Sequence, residues 1–167
     1  MALSIKPYIE NKERIHLIGI GGVSMNSLGE LLLSRGVPIS GSDRLRTDVT
    51  ARLEALGAKI TYEHKPENVE GASLIVRTAA VHDDNPEIVR AHELGIPVME
   101  RAEAWGHLMR DYDNVVCLAG THGKTTSTSM MTLMTMEAQM DPTVWLKAAN
   151  TATRSCALHR PLRLSSM

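Results

Sequence analysis

Phenylalanine is absent from this 167-residue sequence, and only two tryptophans and three tyrosines supply aromatic rings. A surface that stacks the bases of single-stranded nucleic acid needs several such rings, so that class of binding protein is disfavoured. An excess of positive charge is also absent, because 18 lysines and arginines face 19 acidic residues and the net charge is -1. Nucleic-acid-binding proteins usually carry a basic surface, and the sequence therefore indicates no nucleic-acid partner.

Cysteine and long apolar runs are scarce as well. Cys117 and Cys156 are too few for a disulfide framework, which indicates a reducing, cytoplasmic compartment. No apolar run has the length of a signal peptide or a membrane-spanning helix, so no membrane association is predicted. The seven histidines form no H-x₃-H or H-E-x-x-H pair, which leaves a histidine-based metal site without support.

Short apolar runs alternate with segments of helical periodicity along most of the chain. The predicted strands are Ile15–Ile20, Val37–Ser40, Lys59–Tyr62, Leu74–Arg77, Ile96–Met99 and Val115–Ala119. Strands that alternate with helices predict an α/β fold, in which helical crossovers connect the strands of a parallel sheet. The pattern stops near Asp141, and the composition of the remaining residues changes abruptly.

A first glycine-rich turn, Gly19-Ile20-Gly21-Gly22, lies between the first predicted strand and the first predicted helix. Such a turn brings backbone N–H groups and the positive end of a helix dipole close to an anion. Asp43 follows Gly21 by 22 residues, the place where a nucleotide-binding fold sets a carboxylate against a ribose. The match to G-x-G-x-x-G is incomplete because Ser24 occupies the third position. A turn that merely packs the helix, or an NAD site, remains an alternative.

A second glycine-rich turn, Gly120-Thr121-His122-Gly123-Lys124-Thr125-Thr126, follows the last predicted strand and opens a helix. In a phosphate-binding loop the backbone N–H groups surround a polyphosphate, the lysine reaches its terminal oxygens and the threonine holds Mg²⁺. The loop is a shortened variant, since Leu118 stands where the strict pattern has glycine. The alternative, a chance G-K-T at a helix start, carries much less weight.

Together the two turns resemble the Mur ligases of peptidoglycan synthesis, and the resemblance extends over residues 12–144. The matching stretches are HLIGIGGVSM (16–25), SGSD (40–43), TAAV (78–81), DNPEIV (84–89), IPVMERAE (96–103) and AGTHGKTT (119–126). The resemblance implies ATP-dependent ligation of L-alanine to UDP-N-acetylmuramate through an acyl phosphate, with ATP and Mg²⁺ as cofactors. It further implies a Rossmann-like UDP-sugar-binding domain over residues 1–111 and the start of a P-loop ATPase domain over 112–144. Residues 145–167 are expected to form an aberrant, disordered tail.

The resemblance also assigns site residues by position. The UDP-sugar site is expected to comprise Gly19, Gly21, Gly22, Val23, Ser24, Met25, Asp43, Thr78, Ala79 and Ala80. The ATP site is expected to comprise Gly120, Thr121, His122, Gly123, Lys124, Thr125 and Thr126. Within the ATP site Lys124 is the expected catalytic residue, and Thr125 is the expected Mg²⁺ ligand.

The resemblance implies that the family's remaining Mg²⁺ ligands, its adenine contacts and its third domain are to be expected beyond residue 167. The resemblance therefore implies that the chain itself is too short for ligase activity. The unfamiliar end SCALHRPLRLSSM (155–167) suggests a small deletion followed by a change of reading frame. A non-catalytic module that binds a UDP-sugar or a nucleotide is the alternative function. The sequence leaves open the oligomeric state and the residues that select the amino acid.

Overall fold

The computed structural model describes residues 3–140, 142–145 and 155–159, the last two ranges as backbone. Contacts between residues divide the chain into two compact units, Met1–His107 and Leu108–Met167. The domain boundaries predicted from the sequence, at 111/112 and 144/145, stay predictions.

The first unit is built on a five-stranded sheet in which every neighbouring pair of strands is parallel. Its strands are β1 (Ile15–Ile18), β2 (Ile39–Ser42), β3 (Lys59–Thr61), β4 (Leu74–Arg77) and β5 (Val98–Glu100). Their order in space is β3-β2-β1-β4-β5, so the order reverses between β1 and β4. This is the order of doubly wound nucleotide-binding sheets, and it confirms the predicted α/β class.

Helices precede, connect and follow these strands, and two of them are capped by a side chain. The helices are α1 (Lys6–Glu10), α2 (Val23–Ser34), α3 (Asp48–Ala55), α4 (Pro86–Glu93) and α5 (Arg101–Met109). Thr47 caps α3 through a reciprocal pair of hydrogen bonds with Thr50, and Asn85 caps α4 by accepting from the N–H of Glu87. Among the described residues, no helix combines the length and the apolar character that crossing a membrane requires.

Apolar side chains cover both faces of the sheet. On one face Leu17 of β1 and Leu53 of α3 approach Gly29 of α2, where an added Cβ would be 3.3 Å from Leu17 Cδ1. The opposite face carries a second cluster, between the sheet, α4 and a 3₁₀ turn (Pro66–Val69). Its buried members are Ile18, Val69, Ala72, Ile75, Ile88 and Ala91. Burial of a large apolar side chain contributes roughly 1.5–3 kcal/mol to the free energy of unfolding. The two layers therefore hold α2, α3 and α4 against the sheet.

The second strand differs from the sequence prediction, which had it over Val37–Ser40 and ending before Gly41. The structure begins β2 at Ile39 and continues it through Gly41 to Ser42. Gly41 and Ser42 continue the strand because they pair with Leu17 and Ile18 of β1 in the parallel ladder. A Cβ on Gly41 would be 2.6 Å from Ile20 Cδ1 and 2.8 Å from the carbonyl oxygen of Leu17.

Within the described residues, the second unit contains one strand–loop–helix segment and two further strands. The elements are β6 (Asn114–Leu118), α6 (Lys124–Glu137), β7 (Pro142–Trp145) and β8 (Ser155–His159). β8 pairs antiparallel with both β6 and β7. The disorder that the sequence predicts over residues 145–167 stays a prediction; within that range the backbone is described at Trp145 and over Ser155–His159, where it is strand. Residues 146–154 and 160–167 lie outside the described residues.

We expect Gly41→Ala to lower the free energy of unfolding by about 1–3 kcal/mol, because overpacking a buried site costs about that much. Urea denaturation followed by circular dichroism measures the change. The matched control is Gly106→Ala, since a Cβ at Gly106 meets no atom within 4 Å. Equal unfolding midpoints for the two variants would contradict the close approach at Gly41.

Candidate functional site

The first glycine turn follows β1 directly and is tied to the end of β2. The N–H groups of Gly19 and Ile20 both donate to the carbonyl oxygen of Ser42, at 2.8 and 3.1 Å. Gly19 has φ +79°, a conformation that favours glycine, and its carbonyl oxygen accepts from the N–H of Gly22 at 3.1 Å. Gly22 is the N-cap of α2 and offers no capping side chain. The start of α2 therefore directs its positive dipole end toward this turn, where an anion is favoured.

The predicted carboxylate reaches this turn. Asp43 Oδ2 accepts from the N–H of Gly21 at 2.8 Å, and Oδ1 accepts from the N–H of Arg44 at 2.7 Å. A Cβ on Gly21 would be 2.9 Å from Asp43 Oδ2 and 3.1 Å from Thr50 Cγ2. Glycine at position 21 thus lets the carboxylate sit against the backbone. A contact between Asp43 and a ribose stays a prediction.

The segment after β4 lies at the same edge of the sheet. A Cβ on Gly19 would be 3.7 Å from Thr78 Cγ2, so Thr78 lies beside the turn. β1 and β4 are the pair at which the strand order reverses, and open α/β sheets bind ligands outside the carboxyl ends of such strands. The structure therefore brings the turn, Asp43 and Thr78 together at the carboxyl ends of the strands.

The other predicted members of this site differ in exposure. Val23, Ala79 and Ala80 are exposed. The side chain of Ser24 is nearly buried, and its carbonyl oxygen accepts from Trp105 Nε1 at 3.4 Å. Met25 is fully buried, and its N–H donates to the carbonyl oxygen of Gly22. The Met25 side chain therefore belongs to the core around α2.

The second glycine turn joins β6 to α6, as predicted. Gly123 has φ +77° and is the N-cap of α6. The Lys124 ammonium group donates to the carbonyl oxygens of Gly120 and Thr121, which holds Nζ over the loop. His122, Thr125 and Thr126 are exposed beside it. The arrangement, a lysine and a helix N-terminus around one loop, suits a phosphate group.

A Mg²⁺ ion fits this loop only together with a polyphosphate. Thr125 offers one hydroxyl oxygen, and within the described ranges there is no group of three histidine, cysteine or acidic residues that could hold a metal. Mg²⁺ in nucleotide sites takes most of its ligands from water and phosphate oxygens. The donor set is consistent with an ion that arrives bound to a triphosphate.

A buried carboxylate that the sequence analysis missed lies behind the first turn. Glu87 is fully buried, and four polar side chains surround it. Oε1 accepts from Asn68 Nδ2 at 2.7 Å and lies 3.3 Å from His16 Nε2. Oε2 accepts from Ser42 Oγ at 2.7 Å and lies 2.8 Å from His64 Nδ1. We refer to Glu87 and these four residues as the carboxylate cluster.

Opposing effects act on the pKa of Glu87. Burial raises this pKa, but hydrogen bonds from His16, Asn68 and Ser42 together outweigh burial and hold it below its ordinary value. The cluster had a signal in the sequence: Ser40 and Ser42 share one face of a buried strand, and His16 lies opposite Ser40 on β1. Polar residues at period two in a buried strand indicate a polar partner on the packed helix.

The comparisons with known proteins agree on one family. The sequence model of the family described as "Mur ligase family, catalytic domain" matches residues 14–113. UDP-N-acetylmuramate–L-alanine ligase of Clostridium novyi is 46% identical over 135 residues, which are 81% of this chain and 30% of that protein. The enzyme of the same name from Clostridium botulinum (strain Okra) is 49% identical, over 82% of this chain and 30% of the relative.

A solved structure gives the same result. The crystal structure of UDP-N-acetylmuramate–alanine ligase from Thermotoga maritima matches with a TM-score of 0.71 and 36% identity. The match covers 80% of this chain and 31% of the Thermotoga chain. The chain thus spans about a third of the length of the relatives it matches.

The free energy of unfolding should depend on pH through Glu87. Its pKa is lower in the folded chain than in the unfolded chain, so the unfolded state binds the proton more readily. This contribution is complete above the unfolded pKa of about 4.3 and is lost as the pH falls through the folded pKa. Urea denaturation between about pH 7 and about pH 3.5 should show a steeper acid loss for the unmodified chain than for Glu87→Gln.

Glu93→Gln is the control, because Glu93 lies on the same helix and its side chain is more than half exposed. It removes one negative charge, as Glu87→Gln does, but alters no residue of the carboxylate cluster. Parallel pH profiles for the unmodified chain and Glu87→Gln would contradict the lowered pKa.

Proposed function

Since the chain belongs to the Mur ligase family, we propose that its first unit binds the UDP group of UDP-N-acetylmuramate. The observation that carries this proposal is the first glycine turn, which joins β1 to the N-terminus of α2 where the strand order reverses. The diphosphate lies against Gly21, Gly22 and the first N–H groups of α2. Asp43 and Thr78–Ala80 flank the ribose and the uracil.

For the whole protein, the proposed reaction is the ATP-dependent joining of L-alanine to UDP-N-acetylmuramate in the cytoplasm. The sugar's carboxylate oxygen attacks the γ-phosphorus of ATP and forms an acyl phosphate as ADP leaves. The amine of L-alanine then attacks the acyl carbon, inorganic phosphate leaves, and the nitrogen loses a proton as the amide forms. Lys124 and the loop N–H groups stabilise negative charge on the transferred phosphoryl group. Thr125 would hold the Mg²⁺ that accompanies the triphosphate, and the ion would supply further positive charge against the phosphate oxygens.

A second candidate, a UDP-sugar-binding module without catalysis, is favoured by the surface of α6. Met130, Leu133, Met134 and Met136 are each at least 60% exposed. Each of these side chains forgoes roughly 1.5–3 kcal/mol relative to full burial. A helix without packing on these residues orders its N-terminal loop weakly. We therefore expect this chain to bind the sugar nucleotide without ATP turnover.

We expect UDP or UDP-N-acetylmuramate to raise the melting temperature of the purified chain, and NAD to do so much less. A ligand present at 100 times its Kd stabilises the folded state by about 2.7 kcal/mol, which corresponds to roughly 5–10 °C. Gly21→Val should abolish the shift, because its side chain would collide with Asp43 and displace the turn. Differential scanning fluorimetry measures all of these shifts.

Gly106→Ala is the control for that experiment, since position 106 has open space around it. It should keep the full UDP shift. A chain stabilised by NAD and unaffected by UDP would refute the proposed ligand.

The ATP loop yields a separate expectation. In this chain Mg-ATP should bind in the millimolar range or not at all, and Lys124→Ala should change nothing measurable, since α6 is exposed along its apolar residues. Isothermal titration calorimetry and a phosphate-release assay with UDP-N-acetylmuramate and L-alanine give the measurements. Micromolar binding that Lys124→Ala removes would show an ordered loop, and phosphate release would exclude the non-catalytic module.

A further inference from the structure

Ser42 connects the buried carboxylate cluster to the first glycine turn. Its hydroxyl donates to Glu87 Oε2 at 2.7 Å, while its carbonyl oxygen accepts from the N–H groups of Gly19 and Ile20. The next residue, Asp43, accepts from the N–H of Gly21. Three consecutive N–H groups of the turn therefore depend on the position of residues 42–43.

Glu87 is itself held from several elements. Its N–H donates to Asn85 Oδ1 at 2.9 Å, which fixes it in the first turn of α4. Asn68 of the 3₁₀ turn donates both to Glu87 Oε1 and, at 2.8 Å, to the carbonyl oxygen of Glu63. The carboxylate thus ties the end of β2 to α4 and to the segment that follows β3.

The acceptor count explains why a carboxylate occupies this place. An ionised carboxylate has about four lone-pair positions, and four donor side chains surround Glu87. An amide offers only one acceptor oxygen and would leave donors of the cluster without a partner. Glu87 is not needed to pack α4 on the sheet, because Ile88 and Ala91 of the same helix supply the apolar contacts there. A buried charge is costly, and here hydrogen bonds from the surrounding side chains offset that cost.

We propose that Glu87 is a positioning residue for sugar-nucleotide binding, which acts through the Ser42 hydroxyl to hold the first glycine turn in its binding conformation. The identity of the ligand rests on the proposed function. The effect on the turn is a property of the chain alone, and it is measured without nucleotide.

The first measurement is amide hydrogen exchange by NMR on the full chain, in Ser42→Ala and Glu87→Gln. Both variants should accelerate exchange at Gly19, Ile20 and Gly21 by about tenfold relative to the unmodified chain. Amides in the middle of α2 should keep their rates, because no cluster contact reaches them.

The second measurement is calorimetric titration with UDP on the same variants, at a temperature where each is folded. The Kd should rise about tenfold in Ser42→Ala and in Glu87→Gln. If Glu87→Gln fails to fold, Ser42→Ala alone decides, because it removes one hydroxyl and leaves the carboxylate with three donors.

Ser40→Ala is the matched control. Ser40 lies two residues earlier on β2 and forms hydrogen bonds with His16 Nδ1 at 2.9 Å and Arg14 Nε at 3.2 Å, whereas the hydrogen bonds of Glu87 are to other side chains. Like Ser42→Ala, it removes a buried hydroxyl, so a merely structural role predicts equal effects. We expect Ser40→Ala to lower the melting temperature and to leave the turn amides and the UDP Kd unchanged.

The outcomes separate the two proposals. Faster amide exchange at the glycine turn in Ser42→Ala but not in Ser40→Ala supports the positioning role. This holds even if the unmodified chain fails to bind UDP, because that failure would count against the proposed ligand only. Equal exchange rates at the turn amides in Ser42→Ala and Ser40→Ala would overturn the positioning role. If the unmodified chain binds UDP, an unchanged UDP Kd in Ser42→Ala would overturn it as well.

Discussion

The hydrogen bonds that join the end of β2 to the chain after β1 are the constraint on which the candidate site depends. The Ser42 carbonyl oxygen and the Asp43 carboxylate together accept three consecutive N–H groups of the glycine turn. Such proximity is possible only with glycine at positions 21 and 41, where a Cβ would overlap neighbouring atoms. The direction of α2, and with it any anion site at the start of α2, follows from this contact.

Behind that contact, the first unit places charge where a core would ordinarily be apolar. Glu87 is enclosed by hydrogen-bond donors from strands, a loop and a 3₁₀ turn, while Ile18, Ile75 and Ile88 supply the adjacent apolar packing. The apolar residues hold the layers together without specifying a register between helix and strand. Directional hydrogen bonds to a buried carboxylate do specify that register. In this way the core can also set the geometry of a turn at the surface.

The two units differ in how well each orders its glycine turn. In the first unit the turn is held from β2, and α2 is packed through Leu28 and Leu32. In the second unit the loop at Gly120–Gly123 is closed mainly by Lys124, and α6 leaves its large apolar side chains exposed. The phosphate-binding motif at Gly120–Thr126 therefore precedes a helix whose apolar residues are largely exposed. The incomplete motif at Gly19–Ser24 precedes a helix that is packed in the core.

The α/β class, the positions of both glycine turns and the family could be predicted from the sequence, because these depend on local periodicity and on short contiguous motifs. It also located Asp43, since the spacing from Gly21 is set by one strand–helix–strand unit. The shift of β2 to Ile39–Ser42 was decided by tertiary structure, because Gly41 and Ser42 pair with Leu17 and Ile18 of β1. Glu87 likewise gained its role only in the fold: its partners lie 19 to 71 residues away along the chain, and no local pattern records which donors converge on a buried oxygen.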